Sequence, residues 1–193
     1  MKPQLWVIAG PNGAGKSTLT GRYLTGRLPV VNPDNIAREQ SGIGPVQAGK
    51  IAIQRQRQHL SARESFAWET TLSGNRELTL MREAKEAGYK VNLVFVGVHN
   101  ARASTLRVAE RVAAGGHDIP PADVERRFER SLRNLPKALE IADRAFIFDN
   151  SGKYYRLLLS RELNQLRHIS KKLPCWIIQA LPKRLMRTRG IER

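Results

Sequence analysis

The chain has 193 residues, 41% of them hydrophobic and 26% charged, a balance that suits one soluble α/β domain around a single core. No stretch reaches the roughly 18 apolar residues that a membrane span requires. Residues Met1–Gln4 leave no room for a cleavable leader, and the single cysteine, Cys175, excludes an internal disulfide and a thiolate metal cluster, so a cytoplasmic location is expected. The net charge of +16 fits nucleic-acid binding, an acidic partner or a highly phosphorylated substrate, yet an aromatic content of 6% argues against a nucleic-acid reader, which would interleave basic and aromatic side chains.

In chain order, Gln4–Ala9 is an apolar run that predicts a buried parallel strand. It leads into Gly10-Pro11-Asn12-Gly13-Ala14-Gly15-Lys16-Ser17, a complete G-x-x-x-x-G-K-[ST] phosphate-binding loop. The following residues, from Lys16 through Thr18 to Leu24, predict a helix. This strand, loop and helix supply the setting the motif needs. The glycines let the backbone turn tightly and present N–H groups to a polyphosphate at the positive end of the helix. Lys16 is expected to reach the β and γ phosphates, and Ser17 to ligate Mg²⁺. The chain is thereby read as binding ATP or GTP with Mg²⁺.

A second strand, Pro29–Asn32, is followed by Pro33-Asp34. Ligands of open α/β sheets lie at the carboxyl ends of the strands. Asp34 there can accept a proton from an incoming hydroxyl, or cap the helix from Asn35 onward, or do both. A helix over Pro45–Arg63 leads to the strand Ser65–Glu69, which ends in Glu69-Thr70-Thr71. Glu69 can hold Mg²⁺ through water or bind a substrate hydroxyl. Thr70, Thr71 and Arg76 are candidates for binding the acceptor, with Thr71 or Ser73 expected to cap the next helix, Gly74–Gly88. The strand Lys90–Val98 follows, then a helix over Ala101–Ala114 capped by Asn100.

The break Gly115–Pro121 separates that helix from Ala122–Arg133, and the two arginine-rich helices suit a mobile flap. Arg107 and Arg111 are one turn apart, and Arg126, Arg127 and Arg130 include pairs that share a face. Guanidinium groups closing over phosphates stabilise charge and exclude water. Arg111 and Arg127 are the leading candidates, with His117, Arg126 and Arg130 as further lid residues; the alternative is a pair of solvated amphipathic helices. The strand Arg144–Asp149 ends beside Asn150, a candidate for the nucleotide base if it is not simply part of a turn. One or two helices are expected after Ser160. The fold expected is a P-loop NTPase three-layer sandwich, kinase-like, with a five-stranded mainly parallel sheet. Residues 1–170 form the kinase domain, with its helical lid at about 100–134, and 171–193 form a basic tail or helix. No apolar run ends in a Walker B aspartate beside the loop strand, which argues against motor ATPases.

Together these residues resemble the zeta-toxin family of P-loop kinases. The pieces that carry the resemblance are the loop with Thr18, Asn32-Pro33-Asp34, Phe66 through Gly74, Arg111-Val112, Gly115 through Pro120, and Arg126-Arg127-Phe128. The resemblance implies transfer of the γ-phosphate of ATP or GTP to a sugar hydroxyl of a UDP-activated amino sugar, with Mg²⁺. It implies Asp34 as the base, Lys16 as the phosphate lysine, Glu69 as the acidic residue ending the third strand and Arg111 as the first lid arginine. It also implies an antitoxin protein as partner. The family's second lid arginine falls near His117 or Asp118, where this sequence has none. Kinases for another hydroxyl, on a nucleoside, a dinucleotide cofactor or an antibiotic, form the alternative reading. A nucleotide-dependent nucleic-acid-binding ATPase is a weaker one.

Overall fold

Strand β1 (Gln4–Ala9) runs through the middle of the sheet, where its near-continuous apolar run is buried on both faces. The computed structural model describes residues 2–40, 42–116 and 118–186. β1 pairs in parallel with β3 (Phe66–Thr70) and β4 (Lys90–Gly97), so that Val7 lies beside both Trp68 and Leu93. The strand order is β2-β3-β1-β4-β5-β6-β7, with β2 (Val30–Val31) on one edge and β5 (Arg144–Asp149) parallel to β4.

The five expected strands are therefore joined by two more. Arg156–Glu162 (β6) and Gln165–Ile169 (β7) form an antiparallel hairpin on β5, replacing the helix expected directly after Ser160. Leu163 and Asn164 make its two-residue loop, both at positive φ (48° and 64°), the conformation of a hairpin turn. Leucine is a poor signal for that conformation, and a long-range bond from the Leu163 amide to the Asp143 carbonyl (2.8 Å) helps hold it.

The helices are α1 (Lys16–Tyr23), α2 (Pro33–Glu39), α3 (Pro45–Ala62), α4 (Asn75–Glu86), α5 (Ala101–Ala113), α6 (Pro121–Ile141) and α7 (Cys175–Ala180). Asn100 caps α5 as expected, its side chain accepting from the Ala103 amide at 2.8 Å. Gly88, at φ 82°, closes α4. The cap expected for α4 is different: Gly74 holds that position without a side-chain bond, and the Thr71 and Ser73 hydroxyls bond one another at 2.8 Å. α6 does not stop at Arg133 but continues through Pro136. The proline costs about 3 kcal/mol in a helix interior, which burial of Leu135, Ala138 and Leu139 offsets at about 1.5–3 kcal/mol for each leucine.

Two apolar clusters lie on either side of the sheet. Leu5, Val7, Phe66, Leu93 and Trp176 belong to the larger, and Ile8, Val94, Val96, Leu19 and Phe128 to the smaller. Val108, Ile119 and Val124 make a third cluster that holds the ends of α5 and α6 together. Residues 175–185 are packed rather than solvated, with Trp176, Ile177, Leu181 and Leu185 buried. The last seven residues of the basic end, and His117, lie outside the described residues. No helix among the described residues is long and apolar enough to cross a membrane.

Candidate active site

The carboxyl ends of β1, β2 and β3 open into a cavity of about 830 Å³, bounded on the far side by α3, α5 and α6. Its phosphate wall is the loop after β1. Gly10 sits at φ 140°, and a Cβ there would lie 2.1 Å from the Val96 carbonyl oxygen, so only glycine lets the loop leave the sheet this closely. Asn12, Gly13 and Gly15 through Thr18 face the cavity, whereas Gly10, Pro11 and Ala14 form the loop's back. Ala14 is completely buried.

The Lys16 side chain is buried against the loop, its ammonium donating to the Pro11 carbonyl at 3.0 Å. Burial pushes its pKa below the ordinary lysine value. Glu69 and then Asp34 pull it back up, and Arg111 adds to the lowering. A lysine in this state gains most from a polyphosphate, which supplies the negative charge that burial withholds. The Ser17 hydroxyl donates to Glu69 Oε1 at 2.6 Å. An alcohol and a carboxylate brought together at the phosphate wall form the hard oxygen donor set that suits magnesium.

Asp34 lies in the first turn of α2, but it is not the cap. Asn32 is, its side chain accepting from the Asp34 amide at 2.8 Å. Among the described residues the Asp34 carboxylate makes no hydrogen bond or ion pair, and it lines the cavity opposite the loop. The alternative assignment as helix cap is thereby removed, and the carboxylate is left available.

The segment after β3 is held in an unusual path. Leu72 is fully buried at φ 57°, a costly conformation for leucine. Asn134 of α6 secures it by donating to the carbonyls of Leu72 (3.0 Å) and Gly74 (3.1 Å). Thr70 accepts from the Leu72 amide and donates to Glu77 Oε1, both at 3.1 Å. Thr70, Thr71, Glu77 and Arg76 thus line the same wall. Arg76 donates to the side-chain oxygen of Gln56 at 3.3 Å, and Gln56 is only 2% exposed.

The lid arginines divide. Arg107, Arg111 and Arg127 line the cavity. Arg126 pairs with Asp123 at 2.9 Å and, like the exposed Arg130, lies outside the lining. Asn150 is also outside the lining, its amide donating to the Ala14 carbonyl at 2.9 Å behind the loop. Sequence reasoning passed over Glu77, next to Arg76, and Gln56, Asn134, Ser104 and Tyr155, which reach the site from distant positions. Arg107 was visible as a partner of Arg111 one turn away, and its closeness to Gly13 is a tertiary fact.

A model of the zeta toxin family matches residues 45–173, about two thirds of the chain. The chain belongs to the zeta toxin family. The matched stretch starts after the phosphate loop and Asp34, which therefore lie outside it. An uncharacterized protein of Haemophilus influenzae is 32% identical over 139 residues, covering 66% of this chain and 99% of the relative. Among solved structures, the AvrRxo1-ORF1:AvrRxo1-ORF2 complex determined with ATP superposes at a TM-score of 0.69 with 18% identity, over 86% of this chain and 60% of that one. The PezAT toxin–antitoxin system of Streptococcus pneumoniae gives 0.60 and 19%, over 80% and 71%. A putative kinase from Chloroflexus aurantiacus gives 0.53 and 20%, over 68% and 80%. These likenesses establish a P-loop kinase-like α/β fold for this family member. It spans 60% of the AvrRxo1-ORF1 complex chain it matches.

Proposed function

We propose that this family member is a kinase that uses ATP or GTP to phosphorylate a sugar hydroxyl of a UDP-activated amino sugar, and that it is the toxin of a toxin–antitoxin pair. The observation that carries the reading is the position of the Asp34 carboxylate, without a hydrogen bond or ion pair among the described residues, in the same cavity as Lys16 and Ser17. An enzyme that gives phosphate to an alcohol needs a base on the acceptor side of the γ-phosphate. In the proposed reaction Asp34 takes the proton of the acceptor hydroxyl, whose oxygen bonds to the γ-phosphorus as the bond to the ADP or GDP oxygen breaks. Lys16 follows the charge on the β and γ phosphates, and Arg111 and Arg127 approach from the lid side. Ser17 and, through water, Glu69 would hold Mg²⁺, which when bound neutralises charge across the β and γ phosphates.

The acceptor wall supports an anionic substrate such as a nucleotide sugar. Arg76 there donates to the neutral side chain of Gln56, and among the described residues no carboxylate forms an ion pair with it, Glu77 on the same wall being bonded to Thr70, so its charge is available to a diphosphate. That the structure determined with ATP and the PezAT toxin–antitoxin system share this fold supports nucleotide use and an antitoxin partner.

Incubation with ATP or GTP, Mg²⁺ and a panel of UDP-sugars should yield a product heavier by one phosphate. Induced expression should arrest growth, and Lys16→Ala should abolish both effects. A product only on a nucleoside, a dinucleotide cofactor or an antibiotic would overturn the acceptor assignment. Nucleotide hydrolysis stimulated by nucleic acid, with no phosphorylated alcohol, would overturn the kinase reading.

A further inference from the structure

A loop that aims its N–H groups into a cavity must turn carbonyls outward, and buried carbonyls need donors of their own. Here those donors are side chains from elsewhere in the fold. The Asn12 carbonyl accepts from the hydroxyl of Ser104, a fully buried residue of α5. The Ala14 carbonyl accepts from the Asn150 amide at 2.9 Å, and the Gly15 carbonyl, which also takes the first helical bond of α1 from the Leu19 amide at 3.2 Å, accepts from the Tyr155 hydroxyl at 2.8 Å. Burial raises the pKa of that hydroxyl, which keeps its proton available for donation. A Cβ at Gly15, whose φ is 93°, would lie 2.6 Å from the Asn150 amide nitrogen and 2.7 Å from the Tyr155 oxygen. The loop and the two side chains are therefore fitted directly against one another.

We propose that Ser104, Asn150 and Tyr155 are positioning residues of the phosphate loop, holding three of its carbonyls outward so that its N–H groups converge on the polyphosphate. The inference rests on the loop being the nucleotide site, and it does not depend on the acceptor. It also gives the C-terminal part of the chain a task. Asp149, next to Asn150, accepts from the Trp176 indole at 3.1 Å and from the Ser151 hydroxyl at 2.6 Å. The Trp176 ring packs against Gly97 and Phe95. α7, beyond the stretch matched by the family model, thus steadies the β5–β6 loop that pins the phosphate loop. Ser104 acts from the other side and fixes the start of α5, where a Cβ on Gly13 would lie 3.1 Å from Arg107 Cβ.

The test is binding of Mg²⁺·pyrophosphate and of Mg²⁺·ADP to the full chain, with no acceptor present, so failure of the kinase reading would leave it intact. Tyr155→Phe and Asn150→Leu should each weaken both probes by about 3- to 10-fold, the effect of one neutral hydrogen bond. Asn150→Asp, which sets a carboxylate against the Ala14 carbonyl, should weaken them more. The amide ¹H–¹⁵N resonances of Gly13, Gly15 and Lys16 should move in the unliganded variants, a shift that a general loss of stability would not produce well below the melting temperature. Loss for ADP with none for pyrophosphate at Asn150 would mean a base contact and overturn the proposal. Unchanged affinities and loop resonances in folded Tyr155→Phe, which deletes a single oxygen, would overturn it as well.

Discussion

Replacing Asp34 by asparagine should separate chemistry from folding. The carboxylate has no hydrogen-bonding partner among the described residues, and the cap of α2 uses the residue-34 backbone amide, which the substitution keeps. What folding loses is one negative charge in the first turn of a seven-residue helix, worth about 0.3–1 kcal/mol. For a domain of this size the melting temperature should fall by less than about 4 °C. Transfer should suffer far more, because the acceptor then has no base: a loss of about 10²- to 10⁴-fold in kcat is expected. Nucleotide affinity should hold or improve, since a negative charge leaves the cavity. Steady-state transfer to whichever nucleotide sugar the wild type phosphorylates, thermal denaturation and a Mg²⁺·nucleotide titration measure the three quantities. If Asp34→Asn kept more than about a tenth of wild-type turnover, the general-base argument would be wrong. A melting temperature lowered by more than about 8 °C would instead reveal a structural role for the carboxylate.

Three further outcomes follow from the same geometry. Lys16→Met should remove detectable nucleotide binding, and its melting curve beside the wild type reads the buried ammonium. With the native pKa lowered, the unfolded chain holds more protons between that value and 10.5, so wild-type stability relative to Lys16→Met should rise with pH over that interval, while nucleotide affinity falls. A flat difference curve would refute the lowered value. Gly97→Ala would place a methyl 2.4 Å from two ring carbons of Trp176, so it should cost about 1–3 kcal/mol and lower the melting temperature by about 3–10 °C, with a change in near-ultraviolet circular dichroism. Arg111→Gln and Arg127→Gln should cut kcat about tenfold or more, whereas Arg126→Gln and Arg130→Gln, outside the cavity, should stay within about twofold; equal losses at all four would refute the division of the lid.

How far the site was legible depends on how local each signal is. The phosphate loop is a run of consecutive residues whose backbone conformation demands glycine at set positions, so Gly10 through Ser17 can be read directly. Asp34 and Glu69 were legible because each ends an apolar run, and the carboxyl ends of parallel strands converge. The hairpin β6–β7 was not legible: a Leu-Asn turn lacks the usual glycine, and the bond from Leu163 to Asp143 joins separate parts of the chain. Nor did the proline in α6 mark its end, because burial on the α6 face outweighed the broken bond. Among the arginines, helical spacing identified which could share a face, but not which face meets the cavity.

By itself, the sequence determined that the chain carries a phosphate-binding loop, an α/β sheet with crossover helices and candidate carboxylates at its strand ends. Those features rest on backbone propensity and hydrophobic period, which act over a few residues. Tertiary structure alone decided that Asn32 rather than Asp34 caps α2, that Ser17 meets Glu69, and that Arg127 rather than Arg126 lines the cavity. It also decided that Asn150 supports the loop from behind. Each of these is a contact whose partners are chosen by packing, and packing depends on where distant segments fall once the core has formed.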